Sequence, residues 1–404
     1  MQTKLPLHLL ATDDGVRADA ILRSCVHCGF CNATCPTYQL LGDELDGPRG
    51  RIYLIKEMLE TEQADEVTRL HLDRCLTCRS CETTCPSGVR YGELLEIGRQ
   101  YLEAELPRRG IDRWLRRWLL AVVPRPERFG GWVRLGRAVR WLLPRRLARQ
   151  LPPAPQSDGD RGAAQSQPQL RERVLLLQGC VQRTATPGVN ARLMQLLSDR
   201  GIDVVSVPGE TCCGSLALHL GAAEQARATM AANVDALAPL LAGVTAVIST
   251  ASGCGVTVKD YVRLLADDPE RREAAGRVAG QTLDVAEYLH RLDTKWRGDG
   301  SLRRVAWHPP CTLQHGQQLT GLVEALLRRA GYELVPVRDA HLCCGSAGTY
   351  SLLQPELSGR LREAKLTALD AHRPDVIATA NVGCQLHLAS DDGTPVVHWL
   401  ELLR

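Results

Sequence analysis

Long apolar runs are missing from this sequence: no eighteen consecutive residues are apolar, so nothing in it reads as a membrane-spanning helix. Nucleotide signatures are missing too. No Gly-x-Gly-x-x-Gly follows a strand-like run and no Walker motif occurs, which leaves no visible place for a flavin or a nicotinamide. The first fifteen residues, MQTKLPLHLLATDDG, lack the positive, apolar, small-residue order of a secretory leader. Export is therefore not expected, nor is a disulfide framework. What remains is a chain of 404 residues, long enough for two or three domains with their own cores, with hydrophobic content of 44% and charge of 24% in the ordinary range.

Cysteine is what the sequence has in excess, with sixteen in all, expected to be reduced and committed to metal. Eight of them write one pattern twice. Cys25, Cys28, Cys31 and Cys35 are spaced by two, two and three residues before Pro36, and Cys75, Cys78, Cys81 and Cys85 repeat that spacing before Pro86. Three thiolates two residues apart can curl round one corner of an iron-sulfur cube while the fourth points away. The run resembles that of bacterial two-cluster ferredoxins, in which the fourth cysteine ligates the other cluster. The resemblance implies two [4Fe-4S] clusters, one on Cys25, Cys28, Cys31 and Cys85 and the other on Cys75, Cys78, Cys81 and Cys35. Structural zinc also accepts four cysteines, but usually from two separate Cys-x-x-Cys knuckles rather than from four ligands within eleven residues.

Helical periodicity surrounds these runs. IYLIKEML places Ile52, Ile55, Met58 and Leu59 on one helix face, a second helix is expected near 65–72, and a third over 92–106 closes a module spanning 1–106. Residues 107–150 are basic and rich in tryptophan. Thirteen arginines between Arg108 and Arg149 oppose only Asp112 and Glu127, a local +11 in a chain whose net charge is +3. Trp114 and Trp118 share a helix face there, an arrangement suited either to a membrane interface or to packing on a neighbouring domain; no reader motif for nucleic acid accompanies the charge. Residues 151–171 have the Pro, Gly, Ser and Gln bias of a flexible linker.

Beyond the linker, strand and helix alternate: VLLLQG, a helix over 190–200, VVSVP, a helix over 222–241, then TAVIST. The alternation implies a parallel sheet with covered faces. This part also repeats itself. Cys180, Cys212, Cys213 and Cys254 recur as Cys311, Cys343, Cys344 and Cys384, at offsets of 131, 131, 131 and 130 residues, and both pairs sit in Cys-Cys-Gly-Ser. Two copies of one α/β unit are expected, over 172–300 and 301–404, each offering four thiols at the carboxyl ends of its strands to iron-sulfur or zinc. The fold class is thus α+β overall, a helical two-cluster module followed by two tandem α/β domains. His308, His315, His341 and His387 lie near the second set of thiols, as spare ligands or sulfur hydrogen-bond donors, or as ordinary loop and cap residues. His341, two residues from the cysteine pair, is the first to test.

The paired Cys-Cys-Gly units resemble the cysteine-rich (CCG) domains of heterodisulfide reductase subunits, and the whole order resembles the iron-sulfur subunits of bacterial glycolate oxidases. The stretches that carry the likeness are QGCVQ (178–182), TASGCG (250–255), PCTLQH (310–315), HLCCGSAGTY (341–350) and NVGCQLHLAS (381–390). The resemblance implies a chain with no substrate site of its own. FAD-binding partner subunits would oxidise glycolate, or another 2-hydroxy acid such as D-lactate, to its keto product. This chain would pass the electrons one at a time toward quinone, from the cytoplasmic face of the inner membrane. Heterodisulfide reductase relatives end each complete motif in Cys-x-x-Cys, whereas here Ala251 and Asn381 stand three residues before Cys254 and Cys384, which argues against disulfide chemistry. The iron-sulfur subunit of anaerobic glycerol-3-phosphate dehydrogenase and the lactate-utilisation proteins share parts of the architecture, and a non-redox zinc scaffold is the alternative of another class.

Overall fold

The structure, a computed structural model, describes residues 1–142, 151–152, 172–292, 294–298, 300, 304–391 and 393–404. Apart from residues 151 and 152, the expected linker lies outside the described residues, as does 143–150 of the basic segment.

The N-terminal module is helical. Asp13–Ser24 forms α1 behind Thr12, whose hydroxyl accepts from the Gly15 amide at 3.1 Å. Pro48–Thr61 forms α2, opened by a proline where no amide is needed, Glu66–Asp73 forms α3 and Tyr91–Glu105 forms α4. The positions picked out by periodicity, Ile52, Ile55, Met58 and Leu59, are buried and join Leu22, Leu72, Leu94 and Leu95 in one core. Each such side chain taken from water contributes about 1.5–3 kcal/mol.

The basic segment continues as a helical hairpin, α5 (Gly110–Val122) and α6 (Pro126–Ala138), in which Trp118 and Trp132 meet edge to face at 5.3 Å. Arg108 fastens it to the module by a two-pronged bond to Asp73 (2.7 and 2.8 Å) and a third to Glu103 (2.6 Å).

Two four-stranded parallel sheets follow, with strand orders β2-β1-β3-β4 and β6-β5-β7-β8. The strands of the first are β1 (Glu172–Leu177), β2 (Ile202–Ser206), β3 (Ala246–Ser249) and β4 (Thr282–Asp284). Those of the second are β5 (Arg304–His308), β6 (Glu333–Val335), β7 (Val376–Thr379) and β8 (Val396–His398). The register repeats along with the order: Val174 pairs with Val204 and Ala246, and Val305 with Leu334 and Val376. Crossovers run to opposite sides of β1 and of β5, so the carboxyl ends of β1 and β3, and of β5 and β7, form the crevice where such sheets place their functional groups.

Strand alternation divides the interior. Val174, Leu176, Val305 and Trp307 point into one continuous core that fastens the two units together, with α7 (Pro187–Ser198), α8 (Leu322–Arg329) and the C-terminal Trp399–Leu402 between the sheets. Leu175 and Leu177 point the other way, into a cluster that includes Cys180, Cys212 and Cys213; Ala306 and Ile377 do the same beside Cys344 and Cys384.

Candidate functional site

The two cysteine runs of the module fold into matching loops. His27 and Thr77, with Gly29 and Arg79, hold φ between 55° and 80°, so each Cys-x-x-Cys-x-x-Cys curls through two left-handed residues. Such a curl turns successive backbone amides toward the enclosed space, where anionic sulfur is favoured. One cavity is lined by Cys25, Cys28, Cys31 and Cys85 together with Cys81; a second is lined by Cys35, Cys75, Cys78 and Cys81. The fourth cysteine of each run therefore lies with the first three of the other. Four soft thiol donors round one small cavity fit an iron-sulfur cube. Packed together, these thiols disfavour ionisation in one another: burial and the neighbouring Cys25 push Cys31 up to about 11, and burial with Cys311 and Cys35 pushes Cys78 up as well.

The surroundings of the two cages differ. Cys28 is exposed, flanked by exposed Val26 (68%) and Phe30 (61%), so the first cage opens to the surface. Behind the second lies the fully buried Arg51. Its guanidinium donates to His71 O (2.7 Å), to Thr37 Oγ1 (3.1 Å) and weakly to Cys35 Sγ (3.9 Å), while Tyr91 Oη donates to Cys75 Sγ at 3.5 Å. Burial alone would lower the Arg51 pKa, but Cys75, Tyr91, Cys35 and Asp46 more than offset it, so the cation persists beside the cage. Asp46, wholly buried, balances it at 3.5 Å, and its carboxylate also meets His71 Nδ1 (2.9 Å) and Arg74 Nη1 (2.8 Å). No spacing in the sequence marks Arg51 or Asp46 as part of the site.

All eight thiols of the two α/β units face one chamber of about 340 Å³ between the units and the N-terminal module. Cys180 and Cys311 follow β1 and β5, the pairs follow β2 and β6, and Cys254 and Cys384 open the helices after β3 and β7. The glycine of each Cys-Cys-Gly is required: Gly214 and Gly345 have φ of 89° and 90°, and a Cβ would come within 2.8 Å of Met230 and of the Ser358 carbonyl. In the first unit Cys180 Sγ lies 3.4 Å from Cys212 Sγ, and thiol donors on Cys180 and Cys213 with the Gly214 amide hold Cys212 well below the usual thiol range. Cys78 of the N-terminal module also lines the chamber and packs with Cys311 and Cys343. The module is held there by Arg79, bonded to Asp260 at 2.7 Å, and by Tyr350 Oη, donating to Arg74 O at 3.1 Å.

The four histidines separate. His315 bridges modules, accepting from Thr83 Oγ1 (2.9 Å) and donating to His341 O (2.9 Å), while His387 hydrogen-bonds Ser358 Oγ at 3.3 Å. His341, the first to test on sequence grounds, enters these networks through its carbonyl. His308 is different: 1% exposed at the end of β5, it has no hydrogen-bond partner on either ring nitrogen among the described residues and lies with Cys344 and Cys384 so that the three ligand atoms are within 4.8 Å of one another.

Residues 21–89 match the 4Fe-4S dicluster domain, and residues 174–259 and 305–389 each match the Cysteine-rich domain (CCG). Over its full length the chain is 47% identical to the glycolate oxidase iron-sulfur subunit of Escherichia coli (strain K12) and covers 98% of that protein. The chain belongs to the glycolate oxidase iron-sulfur subunit family. The probable glycolate oxidase iron-sulfur subunit of Bacillus subtilis (strain 168) is 32% identical over 91% of this chain and 88% of its own length. Lactate utilization protein A of Geobacillus thermodenitrificans (strain NG80-2) is 27% identical, but over 57% of this chain while 98% of that protein is covered. As a glycolate oxidase iron-sulfur subunit relative, the chain is an electron-transferring component of an oxidoreductase, and its sixteen cysteines are all free of disulfides.

Proposed function

We propose that this chain carries electrons from a partner FAD subunit that oxidises glycolate to glyoxylate, through two [4Fe-4S] clusters, toward a quinone at the membrane. Cys25, Cys28, Cys31 and Cys85 hold the outer cluster, and Cys75, Cys78, Cys81 and Cys35 the inner one. The observation that carries the reading is the order of the cages: one reaches the surface at Cys28, the two share Cys81 in their walls, and the other touches the chamber at Cys78. That is a line from surface to interior with one-electron stations along it. Electrons arriving two at a time on a flavin leave singly, because each cube changes by one electron.

The flavin partner docks at the outer cage, where Val26 and Phe30 present an apolar rim. Quinone approaches the chamber past Leu119, Val123 and Phe129, which line it from the α5–α6 hairpin. That hairpin rests on the cytoplasmic face of the inner membrane, with Ile111, Trp114 and Trp141 exposed beside Arg113 and Arg117. In the purified complex, Cys78→Ser should leave flavin reduction by glycolate intact and abolish quinone reduction; unchanged quinone reduction would sink the proposal.

The eight-thiol chamber favours a second reading, in which electrons from the inner cluster reduce a bound disulfide, two electrons and two protons giving two thiols. Ala251 and Asn381, in place of a fifth cysteine in each unit, oppose it. Anaerobically reduced complex that releases thiols from added low-molecular-weight disulfides would decide for it.

A further inference from the structure

The two α/β units repeat their cysteines but not what surrounds them. At the position of His308 in the second unit, 131 residues earlier, the first has Leu177; at the position of Lys365 it has Val234. In the first unit the thiols of Cys180, Cys212 and Cys213 are backed by hydrocarbon, Leu177, Met230 and Val234 among it. In the second, an imidazole and an ammonium occupy those places, both almost wholly buried, at 1% and 3% exposure. Burying two such groups in a domain of this size is costly unless each has a partner. Lys365 has one: it donates to Asp339 O at 2.7 Å, with the sulfurs of Cys344, Cys343 and Cys384 close enough to act on its charge. His308 has none among the described residues, and both its ring nitrogens are sealed from water.

We propose that the second unit, and not the first, binds a single zinc-type ion through His308, Cys344 and Cys384. The three ligand atoms already lie within 4.8 Å of one another. Tetrahedral zinc with sulfur at about 2.3 Å and nitrogen at about 2.0 Å sets them roughly 3.5–3.8 Å apart, a closure that small side-chain rotations supply. A neutral imidazole with two thiolates is a donor set for a borderline-soft divalent ion, and hard cations do not select it. On binding, the thiols of Cys344 and Cys384 each release a proton to solvent while the buried imidazole releases none, so two thiolates neutralise the ion. The ammonium of Lys365 favours the thiolate forms. Asn381, whose side-chain amide donates weakly to Cys384 Sγ at 3.9 Å, orients that ligand from outside. Cys344 and Cys384 line the chamber and His308 does not, so the ion sits in the chamber wall, gripped from the sheet side. The inference is independent of glycolate as the source of electrons.

The test is a count of zinc, iron and acid-labile sulfide on the anaerobically purified complex, with zinc-edge X-ray absorption. The expected result is about one zinc per chain with a mixed nitrogen and sulfur shell. His308→Leu, which copies the first unit, and Cys384→Ser should each lose that zinc while iron and sulfide stay at the wild-type level; Cys254→Ser should keep it. An unchanged iron count also certifies that the variants are folded. Wild-type protein without zinc overturns the proposal, as does zinc retained in His308→Leu or lost equally in Cys254→Ser. If His308→Leu fails to fold, the wild-type absorption spectrum decides alone: a sulfur-only shell rejects the site and a nitrogen at about 2.0 Å supports it.

Discussion

His398 Nε2 lies 2.9 Å from the carbonyl oxygen of Thr250, tying the last strand of the second α/β unit to the loop that leads to Cys254 in the first. The other ring nitrogen accepts from the Leu400 amide at 3.2 Å, so the ring is a donor on one side and an acceptor on the other, and must be neutral.

That tautomer makes the joint between the units sensitive to acid. Burial holds the His398 pKa down to about 4, whereas a histidine in an unfolded chain titrates near 6.5. Between those values the unfolded chain binds the extra proton, so stability rises with pH across the window and is fully present above it. Going from pH 7.5 to 5.5 should remove about 1.4 kcal/mol through this residue. His398→Gln keeps a donor for Thr250 and cannot titrate. Its denaturation midpoint should fall less than that of the wild type over the same range; parallel curves would show that His398 does not govern the joint. His387, also held near 4 by burial and by Arg362, keeps part of the pH dependence in the variant.

Crossed ligation of the two clusters predicts which variants resemble one another. Cys35 belongs to the first run by sequence, but it shares a cavity wall with Cys75, Cys78 and Cys81. In paramagnetic resonance of the reduced protein, Cys35→Ser should perturb the same signal as Cys78→Ser and leave the one altered by Cys28→Ser. If Cys35→Ser groups with Cys28→Ser, the ligand sets follow the runs and the crossing is wrong.

The buried guanidinium of Arg51 should set the potential of the inner cluster. A positive charge in low dielectric favours the more negative, reduced state, so removing it lowers the potential. In redox titrations Arg51→Gln should shift one of the two cluster signals negative, with Arg51→Lys shifting it less. Arg51→Leu also weakens the balance of the fully buried Asp46, which destabilises by up to about 3–5 kcal/mol when a buried pair loses one partner. A negative shift shared equally by both clusters would deny Arg51 its specific role.

What could be read in the sequence was whatever repeats. The fifty-residue echo of the ferredoxin run and the 131-residue echo of Cys-Cys-Gly depend on local spacing, and local spacing survives folding unchanged. Helix α2 likewise announces itself in Ile52, Ile55, Met58 and Leu59, although the proline at its first position carries it back to Pro48. The chamber was not legible, because it is made by three modules that meet through long-range contacts such as Tyr350 with Arg74 and Arg79 with Asp260. Nearness in sequence also misleads among the histidines. His341 is two residues from the cysteine pair yet contributes a carbonyl, whereas His308, thirty-five residues upstream of Cys343, reaches the thiols because β5 and β7 are neighbours in the sheet. Aligning the two repeats residue by residue, and asking where one has hydrocarbon and the other a polar or charged group, is the signal that would have set His308 apart from the other three histidines and found Lys365.

The arginine-rich hairpin supplies the last prediction, because its charges divide into two groups. Arg108 and Arg116 are turned inward to Asp73 and Asp112, at 2.7 to 3.3 Å, and fasten the hairpin to the protein. Arg109, Arg113, Arg117, Arg128 and Arg134 are exposed, and with them stand Ile111 (84%), Trp114 (65%) and Trp141 (81%). An apolar face that enters the headgroup region gains roughly 1.5–3 kcal/mol per large side chain, and each nearby arginine adds about 1 kcal/mol on an anionic surface. The complex should therefore sediment with vesicles rich in phosphatidylglycerol and much less with neutral phosphatidylcholine, and should be released as salt shortens the screening length. Ile111→Glu combined with Trp114→Glu should weaken that binding at least tenfold, since a tenfold change needs about 1.4 kcal/mol and two insertions are lost. Wild-type complex that ignores anionic vesicles at low salt would leave the hairpin as a docking element for the partner subunits instead.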